Sequence, residues 1–172
     1  MAVREKSLFS TRAEYGVRLM MMLAQEYGKG PLPLARAAQD EGLPLPYLEQ
    51  LVAPLRRDGL VVSYRGTRGG YELARNPEEI TMGEVLRSLE GPITPMVCAP
   101  EDEEHISCVR GQYCSAQILW VRIRDAVTDV LDSTRLSELV PVGGRRDVGL
   151  SGAASHLIPL KFAAERPSIR RR

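Results

Sequence analysis

The first 60 residues place apolar side chains at the spacing of α-helices. The apolar positions that share this spacing fall into three groups: Tyr15, Leu19, Met22 and Leu23; Leu34, Ala37 and Ala38; Leu48, Leu51, Val52 and Leu55. Ser10 or Thr11 can cap the first helix, and Gly42 ends the second. The third extends from Pro44 to Asp58. The pattern therefore predicts three short helices joined by tight turns.

Two short strands are predicted directly after the third helix. Residues 60–64 and 71–73 are rich in β-branched and aromatic side chains, and a glycine-rich loop at 65–70 joins them. Three helices followed by a β-hairpin is the element order of winged helix-turn-helix domains. We therefore expect a mainly α fold with a small β-hairpin wing, in which residues 7–75 form the DNA-binding domain.

The second half of the chain predicts a fourth helix and a long amphipathic helix. Thr81 and Glu84 have the spacing of a capping box, and the long helix extends from about Ser115 to Asp132. Its apolar side chains form two rows: Ala116, Leu119, Ile123, Ala126 and Val130; Trp120, Val127 and Leu131. Two rows exceed what a small domain can cover, so one is predicted to join two copies into a homodimer. Core packing of both rows is the alternative.

This second region, residues 76–139, therefore combines the fourth helix, a cysteine-containing loop and the dimerisation helix. Beyond it, residues 140–172 are rich in glycine, serine, proline and arginine without apolar periodicity. Such a composition cannot bury enough apolar surface to offset the entropy of ordering the chain. We expect a disordered basic tail.

The net charge of +1 conceals an uneven distribution of charge. Residues 1–75 carry +3, residues 76–139 carry −7, and residues 140–172 carry +5. A basic first domain suits a polyanionic partner such as double-stranded DNA. The chain shows no membrane-length apolar run and no secretory signal, so we expect a cytoplasmic protein without a membrane partner. Two histidines, no nucleophile–base pair and no phosphate loop argue against an enzyme.

The loop of the hairpin is the first candidate for DNA contact. Arg65 and Arg68 lie among glycines that include Gly66. A basic, glycine-rich hairpin can enter a DNA minor groove, where narrow A·T stretches concentrate negative potential. The alternative is an ordinary exposed turn, but the preceding helix-turn-helix favours DNA.

The third helix is the second candidate for DNA contact. In winged helix-turn-helix folds its N-terminal residues face base edges in the major groove, which here are Tyr47, Glu49 and Gln50. Glutamine can pair with adenine and glutamate can accept from cytosine. Arg56 and Arg57 at the far end are predicted to contact phosphates, which fix the position of the protein on DNA.

Three cysteines form the other chemical signal. Cys98, Cys108 and Cys114 all fall within 17 residues. Thiolates are soft ligands for iron–sulfur clusters, zinc or copper(I), and the spacing lacks the paired cysteines of common zinc ribbons. The three positions predict a metal or cluster site in a loop, with incidental loop cysteines as the alternative.

Taken together, these residues resemble the Rrf-two family of bacterial transcription regulators over residues 7–139. The matching segments are STRAEY at 10–15, YLEQL at 47–51, PLRRDGLV at 54–61, RGTRGGY at 65–71, PEEIT at 77–81 and LEGP at 89–92. The resemblance implies a homodimer joined by the long helix, with a cluster at the three cysteines. It also implies minor-groove contact by Arg65 and Gly66 and base sensing by Glu49. Two serines that open the recognition helix in one member fall at Pro44 and Pro46, so a different operator sequence is expected.

Members of the family differ in the fourth ligand of the cluster. In some it is a histidine three residues after the third cysteine, a place held here by Gln117. In others it is a carboxylate from the first helix of the partner subunit, and Glu14 lies at that position. His105 is the competing candidate, and helix capping is the alternative role for Glu14.

The sequence thus predicts a transcriptional regulator, expected to be a repressor, whose operator binding depends on a two-iron or four-iron cluster. Redox change and nitric oxide are among the signals that such a site can sense. The alternative is a winged-helix regulator without a cluster, which uses the cysteines as a thiol or zinc sensor.

Overall fold

The computed structural model of the chain describes residues 8–66, 69–102 and 114–140. Its elements in chain order are α1 (Thr11–Gln25), α2 (Leu34–Glu41), α3 (Leu45–Arg57), β1 (Val61–Tyr64), β2 (Gly70–Leu73), α4 (Met82–Glu90), α5 (Gln117–Ser133) and α6 (Leu136–Leu139). None of the helices in these ranges is long and apolar enough to cross a membrane. The expected disordered tail, residues 140–172, lies outside the described residues apart from Val140.

Local signals set most of the helix ends. Ser10, rather than Thr11, caps α1, because its hydroxyl accepts from the backbone N–H groups of Arg12 and Ala13. Gly42 ends α2 in the left-handed conformation, with φ of 67°. The capping box at the start of α4 is confirmed, since Thr81 and Glu84 exchange hydrogen bonds between side chain and backbone.

The hairpin is anchored to the helices by an additional backbone bridge. Strands β1 and β2 pair antiparallel, with Val61 opposite Leu73 and Tyr64 opposite Gly70. Leu32, in the connection between α1 and α2, exchanges two backbone hydrogen bonds of 2.9 Å with Tyr71. A side chain at Gly70 would bring its Cβ within 2.5 Å of the Leu32 carbonyl. Glycine at this position therefore allows the wing to join the helical domain.

The core lies between the first three helices, the hairpin and α4. Its fully buried large side chains are Leu19, Met20, Leu23, Leu48, Leu51, Leu55, Val61, Ile80, Val85 and Leu136. Leu136 belongs to α6, which returns to the core because the backbone around Thr81 pairs with that of Arg135. The short helix α6 and its buried leucine were not predicted from the sequence.

The two apolar rows of α5 have different surroundings. Val127 and Leu131 pack against a second apolar cluster that includes Ala13 of α1 and Leu86 of α4. In the other row, 54% of Leu119 and 63% of Val130 are exposed. One row thus packs inward, as expected, and the other presents an apolar surface along the helix.

Candidate nucleic-acid interface and cysteine site

The recognition helix α3 is fixed by its buried leucines and presents polar side chains outward. Leu48 and Leu51 are buried, whereas Glu49 and Gln50 are exposed. Tyr47 is half-buried and packs edge-on against Tyr15 of α1, with ring centroids 6.1 Å apart. Glu49 and Gln50 are therefore free to meet a partner, while Tyr47 also braces α3 against α1.

The two arginines at the end of α3 differ in their partners. Both Arg56 and Arg57 are exposed, but Nε of Arg57 lies 2.9 Å from a carboxylate oxygen of Asp58. The hydrogen bond from Arg57 lowers the pKa of Asp58 below its ordinary value, so the pair stays ionised at neutral pH. Among the described residues, the Arg56 guanidinium contacts no carboxylate, which leaves its charge available for a phosphate.

The tip of the wing depends on two glycines. Gly66 has φ of 115°, and the Gly69 N–H donates to its carbonyl at 2.9 Å. A Cβ on Gly69 would lie 2.5 Å from the Tyr64 carbonyl oxygen, so the turn needs glycine there as well. Arg65 is exposed at this turn, and Arg68 lies outside the described residues.

The backbone at two of the three cysteines is tied to the N-terminal end of α5. Cys98 is buried, with 7% of its surface exposed, and Cys114 is half-buried three residues before the helix begins. Gln117 connects them, because its backbone N–H donates to the Cys114 carbonyl at 3.0 Å and its side-chain amide donates to the Cys98 carbonyl at 2.9 Å. Cys108 and His105 lie outside the described residues.

The segment after Cys98 is anchored to α5 and to the loop that follows α4. Arg124 of α5 donates to the Pro100 carbonyl at 2.8 Å. Glu101 exchanges two hydrogen bonds with the backbone of Ile93, at 2.9 and 3.1 Å. These contacts hold one side of the cysteine loop in a defined position, as a ligand site requires.

An ion-pair network extends this anchoring. Arg87 of α4 donates to both carboxylate oxygens of Glu101 and to both of Asp132 in α5. The hydrogen bonds from Arg87 lower the pKa of both carboxyl groups. A Cβ on Gly83 would collide with the Asp132 carboxylate and the Arg87 guanidinium, so these two side chains would have to shift. The network joins α4, the cysteine loop and α5.

Glu14 lies in the first turn of α1 and, in the part of the chain that the structure describes, joins no set of metal-ligating side chains. Its side chain is 57% exposed and pairs with Arg18 at 2.8 Å. It lines an open apolar cleft together with Phe9 and Leu86. Among the described residues, no three histidine, cysteine, aspartate or glutamate side chains come together as a metal site.

Three residues of these sites were not predicted from the sequence. Gln117 was considered only because it stands where some members of the family have a histidine ligand. Arg87 was given no role. Arg12, on α1, shares a surface cleft with Gln50 and Arg57 of α3. Each of these contacts joins residues far apart in the chain, and none leaves a local pattern in the sequence.

Comparison with known proteins decides the family. The family model for Rrf2, described as an iron-dependent transcriptional regulator, matches residues 9–141. The chain belongs to the Rrf2 family. This confirms the resemblance, the winged-helix fold class and the expectation of a regulator rather than an enzyme.

Two kinds of Rrf2 regulator are similar to this chain. CymR of Bacillus subtilis is 48% identical over 130 residues, which cover 76% of this chain and 87% of CymR. IscR of Pectobacterium atrosepticum is 37% identical over 131 residues, which cover 76% of this chain and 77% of IscR. The chain thus shares most of its length with both proteins.

Solved structures of CymR have the same fold. The B. subtilis protein, described as the global cysteine regulator, aligns with a TM-score of 0.66 and 45% identity over 76% of this chain and 94% of CymR. An oxidized form of Staphylococcus aureus CymR aligns with a TM-score of 0.64 and 39% identity over 79% of this chain and 98% of that chain. At these identities the likeness supports a role in the regulation of transcription.

Proposed function

We propose that this Rrf2 regulator is a homodimeric repressor whose operator affinity is set by an iron–sulfur cluster at Cys98, Cys108 and Cys114. The observation that carries the proposal is that Gln117, at the start of α5, hydrogen-bonds to the backbone carbonyls of both Cys98 and Cys114. The proposal places Cys108, the third thiolate, in the loop between them. Regulation of transcription is a property of the family, and the cluster, the dimer and repression are what we add.

The surroundings of the two described cysteines suit an anionic iron site. Thiolates are soft ligands that iron–sulfur clusters prefer. Burial of Cys98 limits access of water, and the partial positive charge at the N-terminus of the 17-residue helix α5 favours nearby negative charge. A cluster bound there would supply sensitivity to oxidants or nitric oxide. The surrounding residues would hold the cluster beside α5, the helix that carries the exposed apolar row.

Glu14 of the partner subunit is the proposed fourth ligand. Its side chain is 57% exposed and, among the described residues, its carboxylate pairs with Arg18 alone, so only one partly exposed ion pair would be lost if it bound iron instead. A carboxylate is a harder and weaker iron ligand than a thiolate. In the proposed arrangement the bond between Glu14 and iron would be the most labile one of the site. Because Glu14 belongs to the partner subunit, that bond would also couple the cluster to the position of the partner's DNA-binding domain.

The proposed DNA contacts follow the exposed polar surface of the domain. Tyr47, Glu49 and Gln50 of α3 are proposed to face the major groove. Arg65, Gly66 and Arg68 of the wing are proposed to enter the minor groove. Arg56 and Arg57 at the end of α3 are proposed to contact phosphates. Arg57 already shares its charge with Asp58, so we expect Arg56 to contribute more.

Protein purified without oxygen tests the cluster directly. Wild type should show visible absorption and carry iron and sulfide, and Cys108→Ala should lose all three. Glu14→Ala should keep iron but change the spectrum and bleach faster in air. If Glu14→Ala matches wild type while His105→Ala differs, His105 is the fourth ligand and the cross-subunit arrangement is wrong. Zinc in place of iron, or no metal at all, would refute the cluster.

A second candidate is a thiol sensor without a cluster. It is favoured by the similarity to CymR, described as a global cysteine regulator and solved in an oxidized form. In that case iron-free protein should lose or gain operator affinity when treated with peroxide, and reductant should reverse the change. Substitution of the responsive cysteine by alanine should abolish the response. A regulator that uses the cluster should instead respond to peroxide only when iron is bound.

A further inference from the structure

We propose that a cleft between α1 and α3, with Arg12 as its principal cation, holds a backbone phosphate of the operator DNA. The inference extends the DNA-binding part of the proposed function. It does not depend on the state of the cysteine site, so the two can fail separately.

The cleft lies beside the exposed face of the recognition helix. It has a volume of about 530 Å³ and is lined by Arg12 in the first turn of α1 and by Tyr47, Gln50 and Arg57 of α3. Gln50 is one of the side chains proposed to face bases. A duplex that reaches Gln50 therefore also brings its backbone to the wall that carries Arg12.

Arg12 differs from most other arginines of the described residues in having no counterion. Arg18, Arg36 and Arg87 each contact carboxylates. Within the same described ranges, the Arg12 side chain is exposed and contacts no carboxylate. A neighbouring cation, Arg57, is partly neutralised by Asp58. Arg12 thus brings a full unpaired charge to the cleft, the condition for a strong phosphate contact.

The start of α1 does not itself provide the anion site. Its first free backbone N–H groups, on Arg12 and Ala13, are already directed at the Ser10 hydroxyl. Ser10 in turn bonds to the Glu90 carboxylate. The attraction for phosphate therefore comes from the guanidinium of Arg12, and a side-chain substitution removes it without disturbing the helix cap.

Binding of duplex DNA at several salt concentrations tests the assignment. A duplex selected by wild type and a scrambled duplex of equal length should both bind Arg12→Gln more weakly, by about fivefold to tenfold. The slope of log affinity against log salt should fall by about 0.9 for each subunit bound. Arg12→Lys should retain most of the slope. Arg36→Gln, which removes the same charge on α2, is the control and should keep both affinity and slope.

The outcomes separate this inference from the proposed function. If Arg12→Gln folds normally by circular dichroism and binds both duplexes with wild-type affinity and slope, the phosphate site is wrong. A loss confined to the selected duplex would also refute it, because that result would assign Arg12 to base recognition. If wild type selects no duplex, either with iron or without it, the DNA-binding part of the proposed function is wrong and the phosphate site is wrong with it.

Discussion

The network around Arg87 leads to a prediction about stability. Arg87→Met keeps an unbranched apolar side chain but removes the guanidinium that joins Glu101 and Asp132. Two carboxylates then face one another without a cation between them. We expect the folded state to lose stability at neutral pH and the cysteine loop to lose its attachment to α4.

The expected magnitude follows from the exposure of the partners. A hydrogen bond to a charged group contributes about 1.5–3 kcal/mol when shielded from water, and an exposed ion pair about 0–1 kcal/mol. Glu101 is 24% exposed and Asp132 is 44% exposed, so the first pair contributes more. Arg87→Met should therefore lower the free energy of unfolding by about 2 kcal/mol at pH 7. For a domain of this size the midpoint of thermal unfolding should fall by about 6–10 °C.

The stabilisation by Arg87 should depend on pH in a defined direction. Hydrogen bonds from Arg87 hold the pKa of Glu101 and Asp132 below the unfolded values. Their contribution is present above the unfolded pKa, near 4, and is lost as pH falls through the folded values. The difference in unfolding free energy between wild type and Arg87→Met should therefore shrink as pH falls from 7 to 3. Urea unfolding at fixed protein concentration, followed by circular dichroism, measures it.

Arg36 provides a matched control on the surface. It also lies between two carboxylates, but at 3.6 Å from Glu26 and 3.8 Å from Asp40, and its side chain is 58% exposed. Arg36→Met should cost less than about 0.5 kcal/mol. If Arg87→Met is no more destabilising than Arg36→Met, or if its effect is equal at pH 3 and pH 7, the network does not hold the loop as described.

Three further predictions concern DNA, assembly and the wing. Arg65→Ala should weaken binding of the selected duplex by about 1–3 kcal/mol at matched salt, and unchanged affinity in a fluorescence titration would remove the wing from the interface. Leu119→Asp, on the exposed apolar row of α5, should convert the expected dimer into a folded monomer, and light scattering that still reports a dimer would contradict this. Gly70→Ala should destabilise the protein by about 1–3 kcal/mol in urea, because its Cβ must displace the Leu32 backbone. A wild-type midpoint would mean that this contact relaxes freely.

Local patterns in the sequence were sufficient for much of the fold. The apolar spacing located α1, α2 and α3 within one or two residues, and the Thr81–Glu84 capping box correctly marked the start of α4. These features depend on residues at most four positions apart, whose contacts are set by helix geometry. The strands were equally clear, since β-branched runs flanked a glycine-rich turn.

Contacts between distant segments could not be predicted in this way. Three such contacts join residues separated by 14 to 54 positions along the chain: the Leu32–Tyr71 bridge, the Thr81–Arg135 pairing that returns Leu136 to the core, and the Arg87–Glu101–Asp132 network. A single sequence carries no signal for such pairs, because each partner alone resembles an ordinary loop or surface residue. The same limit explains why Arg12 was not recognised beside α3.

The candidate cysteine site depends both on a local pattern in the sequence and on a contact between distant segments. Spacing identified Cys98 and Cys114, and the structure brings their segments together through Gln117. Spacing did not indicate that Gln117 connects them, since an amide three residues after a cysteine suggested only that a histidine ligand was absent. The choice of Glu14 as ligand remains a prediction that requires a second subunit.

The proposed function requires an iron–sulfur cluster at the cysteines to control operator affinity. It is tested most directly by measuring that affinity for one anaerobic preparation before and after its iron is removed by a chelator, at one salt concentration. Coupling between two sites in a protein amounts to about 1–3 kcal/mol, so the affinities should differ by about 5- to 150-fold. Reconstitution should restore the first value, and Cys108→Ala should bind like the iron-free protein before and after the treatment. Equal affinity of the iron-loaded and iron-free wild type would contradict the account.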